Sequence, residues 1–247
     1  MHVLLAAAGI VISGDTGTAR AREPITLDLE SSVRNRFVQR SEMWTDDPVF
    51  WQIATLRWQG FRSYNFFNVD LTDLNGDRYE LNEYDFILDY TIRVGRWSVA
   101  PGMLRFTSPT GFFKTTTKYT LDVRMSSPWN PRLRIRIDTK HSRGSYYIFS
   151  ASRRAAPRGE HFPLTLYGEF GLSQPRYYQV YLSDRIAVTD ALLGVSAPVA
   201  IGKGFTLSPF VEFTSLLDRS VRGAQEKTGA KKDAATFGVV MEKGIGW

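Results

Sequence analysis

Over residues 132–140 charged and apolar positions alternate one for one: Arg132, Arg134, Arg136, Asp138 and Lys140 share one parity, with Leu133, Ile135 and Ile137 between them. Successive side chains of a strand point to opposite faces, so the spacing predicts a strand with one charged and one apolar face. Weaker copies recur along the chain. After Pro24, Leu27, Leu29, Val33 and Phe37 oppose Asp28, Glu30, Arg34, Arg36 and Arg40. In 79–93, Tyr84, Phe86, Leu88, Tyr90 and Ile92 oppose Glu83, Asp85, Asp89, Thr91 and Arg93. Further strands are expected at 49–59, 61–70, 97–106, 116–125, 132–140, 145–152, 163–173, 186–197, 205–214 and 234–247.

That makes about twelve strands, an even number as single-chain bacterial barrels require. In a water-soluble sheet the apolar face would be buried; in an outer-membrane barrel it touches lipid and the charges line the lumen. No apolar run reaches the roughly 18 residues of a membrane helix, so membrane residence requires a closed barrel. The expected fold is therefore all-β, a transmembrane antiparallel β-barrel of about 12 strands. The 247 residues suit one domain, and a 13% aromatic share accompanies a mean hydropathy of only −0.23. Absence of cysteine fits an exported bacterial protein.

Connections supply an orientation. With the first strand starting in the periplasm, the odd connections 41–48, 71–78, 107–115, 141–144, 174–185 and 215–233 face outward and are mostly longer than the even ones. Short 141–144 and long 153–162 depart from that rhythm. The N-terminal stretch adds an export reading: an apolar run from Val3 to Ile12, then Ala19-Arg20-Ala21, a small-x-small cleavage pattern. Residues 1–21 are expected to be a signal peptide and 22–247 the barrel, although the start carries no Lys or Arg.

Tryptophans at strand ends suit the headgroup level, and Trp44, Trp51, Trp58, Trp97, Trp129 and Trp247 are the expected membrane-interface residues. Counting back from Trp247, Ile245, Lys243, Met241, Val239 and Phe237 share its parity. That ending resembles the signal read by the barrel-assembly machinery.

Several blocks resemble a family of uncharacterised Gram-negative outer-membrane barrels described as porins, the TorF-like group and its relatives. The carrying stretches are Asn68-Val69-Asp70-Leu71-Thr72-Asp73-Leu74-Asn75-Gly76-Asp77, then Glu83-Tyr84-Asp85, Val188-Thr189-Asp190-Ala191-Leu192-Leu193-Gly194-Val195-Ser196, Leu207-Ser208-Pro209-Phe210-Val211-Glu212-Phe213 and Ser215-Leu216-Leu217-Asp218. The resemblance covers nearly all of 22–247. It implies a porin-like role in the outer membrane, without catalytic residues to carry over.

Arg34, Arg36, Glu83, Asp85, Asp89, Arg93, Arg124, Arg132, Arg134, Arg136, Glu169 and Glu212 are expected to line the pore. Three guanidinium groups on 132–136 would stand roughly 6–7 Å apart along one wall, an arrangement that attracts anions. Glu83, Asp85 and Asp89 are expected as the acidic wall facing them. The competing reading pairs every charge and leaves a plugged, structural barrel.

Other chemistries fare worse. Asp73-x-Asn75-Gly76 lacks the terminal acid of a calcium loop, with Leu71 and Asn82 at the key positions, and reads as a turn. An enzyme would rest on His141 or His161. His141-Ser142-Arg143-Gly144 loosely resembles stretches of outer-membrane phospholipases and lipid A deacylases, yet neither Ser145 nor Ser150 completes a triad. No metal or cofactor is implied. The net charge of +6 does not gather into a nucleic-acid surface, since basic positions alternate with apolar ones. Lys227, Lys231 and Lys232 could meet lipopolysaccharide phosphates. Expected partners are outer-membrane lipid and lipopolysaccharide, the assembly machinery and small solutes.

Overall fold

The computed structural model describes residues 24–39, 42–72, 79–110, 114–140, 144–155, 163–174, 186–228 and 231–246. Twelve antiparallel strands close on themselves: β1 (Thr26–Arg34), β2 (Val49–Trp58), β3 (Phe61–Asp70), β4 (Leu81–Tyr90, continued by Ile92–Val94), β5 (Trp97–Thr107), β6 (Thr116–Met125), β7 (Arg132–Asp138), β8 (Gly144–Ala155), β9 (Leu164–Ser173), β10 (Ala187–Ser196, continued by Val199–Gly202), β11 (Phe205–Leu216) and β12 (Asp233–Gly246). Each strand pairs with its sequence neighbour, and β12 returns to β1 in unbroken register from Gly246↔Thr26 to Gly238↔Arg34. Closure satisfies the backbone of every strand laterally, which lipid demands. The twelve strands and their approximate limits agree with the alternation.

Pairing fixes the faces, because residues level with each other across a ladder share one. Leu133, Ile135 and Ile137 on β7 pair with Val123, Leu121 and Tyr119 on β6 and point outward. Large apolar side chains cover that surface, with Leu193 70%, Phe213 64% and Phe237 59% exposed. Among the described residues no helix is long and apolar enough to cross a membrane.

The two rims differ. The lower rim is the one where Thr26 meets Gly246, and its described turns are tight: Gln59 and Gly60 both take positive φ (48° and 87°) between β2 and β3, as a two-residue hairpin with matching twist needs. The upper rim carries the longer connections. A ribbon of Phe37–Gln39 and Glu42–Thr45 stands between β1 and β2. Between β11 and β12 lies a helix, α1 (Arg219–Thr228), where only a loop was expected. The Asp218 carboxylate caps it by accepting from the Ser220 and Val221 N–H groups at 2.9 and 3.2 Å. Val221 packs on Leu216, both fully buried. Residues 73–78, 141–143 and 156–162 lie outside the described residues, and with them the Asn75-Gly76 turn, His141 and His161; so do the proposed signal peptide and Trp247.

Candidate functional site: the barrel lumen

Most of the expected lining residues do point inward. Arg132, Arg134 and Arg136 on β7 are level with Arg124, Asp122 and Thr120 on β6 and with Ser150, Ile148 and Tyr146 on β8. Glu169 is level with Ser150, Glu212 with Gly194, and Arg93 with Ser98. Glu83, Asp85 and Asp89 are buried on the inner face of β4. Arg34 is the inner upper end of β1.

Three expectations are corrected. Arg36 sits in the bend after β1 and pairs with Asp46 at 3.1 Å, because the strand ends at Arg34; it belongs to the upper connection rather than the wall. Phe37, given lipid-facing parity, lies inside at 2% exposure, since that same bend resets the alternation. Trp51 also lies inside. It is level with Ser32, 2% exposed, and with Asn68, fully buried, so its parity is that of the lumen. Trp58, Trp97 and Trp129 are about half exposed at the lower rim, with Trp58 and Trp97 outward-facing, where an aromatic belt would be. The Trp44 side chain and Trp247 fall outside the described set.

Sequence reasoning missed Arg62, and it placed Asp122 on the polar parity without identifying it as the hub that holds the arginines. Asp122 accepts from Arg132 Nε at 2.9 and 3.0 Å, from Arg124 Nη2 at 3.1 Å, and has Arg62 Nη2 at 3.9 Å. Arg62 in turn donates through Nε to both Asp89 oxygens at 3.1 and 3.0 Å. One buried carboxylate thus keeps guanidinium groups from β3, β6 and β7 at close quarters, which their mutual repulsion would otherwise oppose. Arg134 pairs with Glu169 at 2.6 Å, and Arg57 pairs with Asp28. The tight β2–β3 turn carried the missing signal: pairing Trp58 with Phe61 makes Arg57 level with Arg62.

The acids do not stand where the alternation suggested. β4 is three strands from β7, whereas β1 is six strands away, half-way round a twelve-stranded barrel. The wall across the lumen from the arginine ladder therefore carries Asp28 and Glu30, with Glu242 level with Glu30 on β12. Arginines crowd the lower half, where Asp28, Asp89 and Asp122 pair with Arg57, Arg62 and Arg132, whereas Asp70, Glu83, Asp138 and Asp190 lie in the upper half with Lys118 and Arg34.

Large side chains cross the middle. The Arg34 guanidinium lies 3.6 Å from the Trp51 ring centroid and 4.5 Å from that of Phe210, and pairs with Glu212 at 3.2 Å. The Tyr167 hydroxyl donates to the other Glu212 oxygen at 3.0 Å. Tyr167 lies over Gly194, where a Cβ would come within 2.4 Å of its ring. Below this layer a cavity of about 570 Å³ opens at the lower rim, with Arg93, Arg96, Arg124, Arg132 and Arg134 in its wall beside Ser98, Ser150, Ser152 and Glu169. Among the described residues no cluster of three or more potential metal ligands occurs.

The fold is shared with outer-membrane porins. NanC porin superposes with a TM-score of 0.52 at 14% identity, over 88% of this chain and 98% of the other. KdgM porin gives 0.52 at 12% identity over the same shares, and has also been seen in complex with disordered oligogalacturonate. No family model matches the sequence, and no characterised protein matches it significantly.

Proposed function

We propose that the chain is a porin-like channel of the Gram-negative outer membrane, admitting small solutes by passive diffusion with a preference for anions. The observation that carries this reading is the cavity at the lower rim, where five arginines face one another and Glu169. Such a mouth concentrates anions before they meet the narrower middle. Asp122 neutralises only part of the charge it organises, and Arg96 has no ion pair among the described residues. Oligogalacturonate, the ligand of one porin of this fold, is itself an anion. Residues 1–21 would direct export, and the strand ending at residue 247 would be read by the assembly machinery. Outer-leaflet lipid and lipopolysaccharide would surround the apolar wall.

Planar bilayers test the reading. Purified protein should give ion conductance, and in a KCl gradient the reversal potential should favour chloride. Charge-neutralising Arg93→Gln with Arg96→Gln should move that potential toward zero. Absence of conductance would overturn the channel and leave a closed structural barrel; cation preference would overturn only the selectivity.

A further inference from the structure

We propose that the lumen contains a binding site for an organic carboxylate with a flat apolar body, of which an aromatic acid is the simplest form. The inference deepens the channel reading by naming a solute class, and rests on it. A second cavity, of about 280 Å³, lies in the middle of the barrel, above the arginine mouth. Its walls differ in kind. Phe37, Trp51 and Phe66 form one side as a chain of edge-to-face rings, with centroids 5.7 and 5.1 Å apart and planes at 90° and 87°. The other side is charged: Arg62, Arg132, Arg134 and Arg136 stand with Asp85, Asp89 and Asp122, of which Asp89 and Asp122 are already paired with Arg62 and Arg132.

Two buried N–H groups on this cavity lack an acceptor. Arg134 spends an Nη on Glu169, yet its Nε is buried without a hydrogen-bond partner among the described residues, and so is the Trp51 indole N–H. Arg136 has no acid within ion-pair distance among them. Buried donors left unmade are costly, and here two share one cavity with a guanidinium that stands outside any ion pair among the described residues. A carboxylate offers two acceptor oxygens in the planar geometry that guanidinium groups match.

The rings decide the rest of the ligand. A halide or inorganic oxyanion would satisfy the donors but leave three aromatic side chains against water. Among the described residues this cavity offers only the Tyr64 and Thr120 hydroxyls, and Asp89 and Asp122 are already held by Arg62 and Arg132, so most hydroxyl groups of a sugar acid would go without partners. A flat hydrocarbon body fits both the surface and the space, since a cavity of about 150 Å³ already holds benzene.

Benzoate, acetate and benzyl alcohol separate the parts. Calorimetry on the full chain folded in detergent micelles should give benzoate at least about tenfold tighter binding than either. Arg136→Gln should weaken benzoate by about tenfold or more. Phe37→Ala, in the connection outside the barrel strands, should weaken it about threefold or more; heat-modifiable mobility on gels verifies that each variant is folded. Equal binding of benzoate and acetate, or undiminished benzoate binding by Arg136→Gln, overturns the site. Benzoate binding without bilayer conductance overturns the channel and leaves the site standing. Conductance without a benzoate preference does the reverse.

Discussion

Strands β7 and β3 line the same lumen, β7 with its charged and apolar residues cleanly separated and β3 with them mixed on both faces. On β7 the inner row is Arg132, Arg134 and Arg136 and the outer row Leu133, Ile135 and Ile137. On β3 the inner row sets Tyr64 and Phe66 among Arg62, Asn68 and Asp70, while Ser63 and Asn65 face out among Phe61, Phe67 and Val69, beside Leu88 and Phe86. Outward polar groups on that side satisfy one another: the Tyr84 hydroxyl donates to Asn65 at 3.2 Å, and Ser31 donates to Gln52 at 2.7 Å. What a barrel puts inside is thus set by how the lumen is filled. The open mouth at the lower rim is lined by charge, and the cavity in the middle by charge on one side and aromatic rings on the other.

The largest expected effect comes from removing the hub of the charged wall. Asp122→Asn keeps the shape but leaves three guanidinium groups without their shared carboxylate, and should cost about 3–5 kcal/mol of unfolding free energy in urea titrations followed by tryptophan fluorescence. Anion preference should rise in the same variant. An unchanged midpoint would mean that the wall is held by its backbone alone.

Next in size is a charge on the lipid side of β7. Ile135→Arg places a guanidinium mid-strand on the outer face and should cost about 2–4 kcal/mol in the same titration. If it proves harmless, that face is wet and the membrane reading fails there.

The smallest effect is expected on the outer face of β3. Asn65→Leu removes one hydrogen-bond partner of Tyr84 and adds apolar surface toward lipid, opposing terms that should leave less than about 1 kcal/mol. A loss as large as that of Ile135→Arg would show that this polar row is covered by protein.

The same contrast explains what could be read in the chain. β4 and β7 were legible because charge and parity coincide in them. Trp51 was given an interface place because it lies near a strand end, and Phe37 a lipid-facing parity because the bend after Arg34 has no cue in the alternation. Arg62 escaped because its row also holds Tyr64 and Phe66 before Asn68 and Asp70, although the two-residue turn at Gln59 and Gly60 made it level with Arg57. The α1 helix was hidden by a polar connection whose one local cue is the capping Asp218. Distances round the barrel were the other gap, since pairing order, not periodicity, puts β1 rather than β4 across from β7.

Arg34 and Glu212 are separated by 178 residues, yet their ion pair bridges over β12 from β1 to β11, flush against Gly238, where a Cβ would fall within 2.9 Å of the Phe210 ring. That bracket sits behind the seam at which the sheet closes. The seam joins the most distant parts of the described chain, so its loop-closure entropy is the greatest of any pair of strands. A clasp on its inner side, shielded from lipid by the wall itself, means that β1 and β12 cannot peel apart sideways without also drawing a guanidinium out from between two aromatic rings. The barrel is thereby latched at the joint where lateral unzipping would otherwise start.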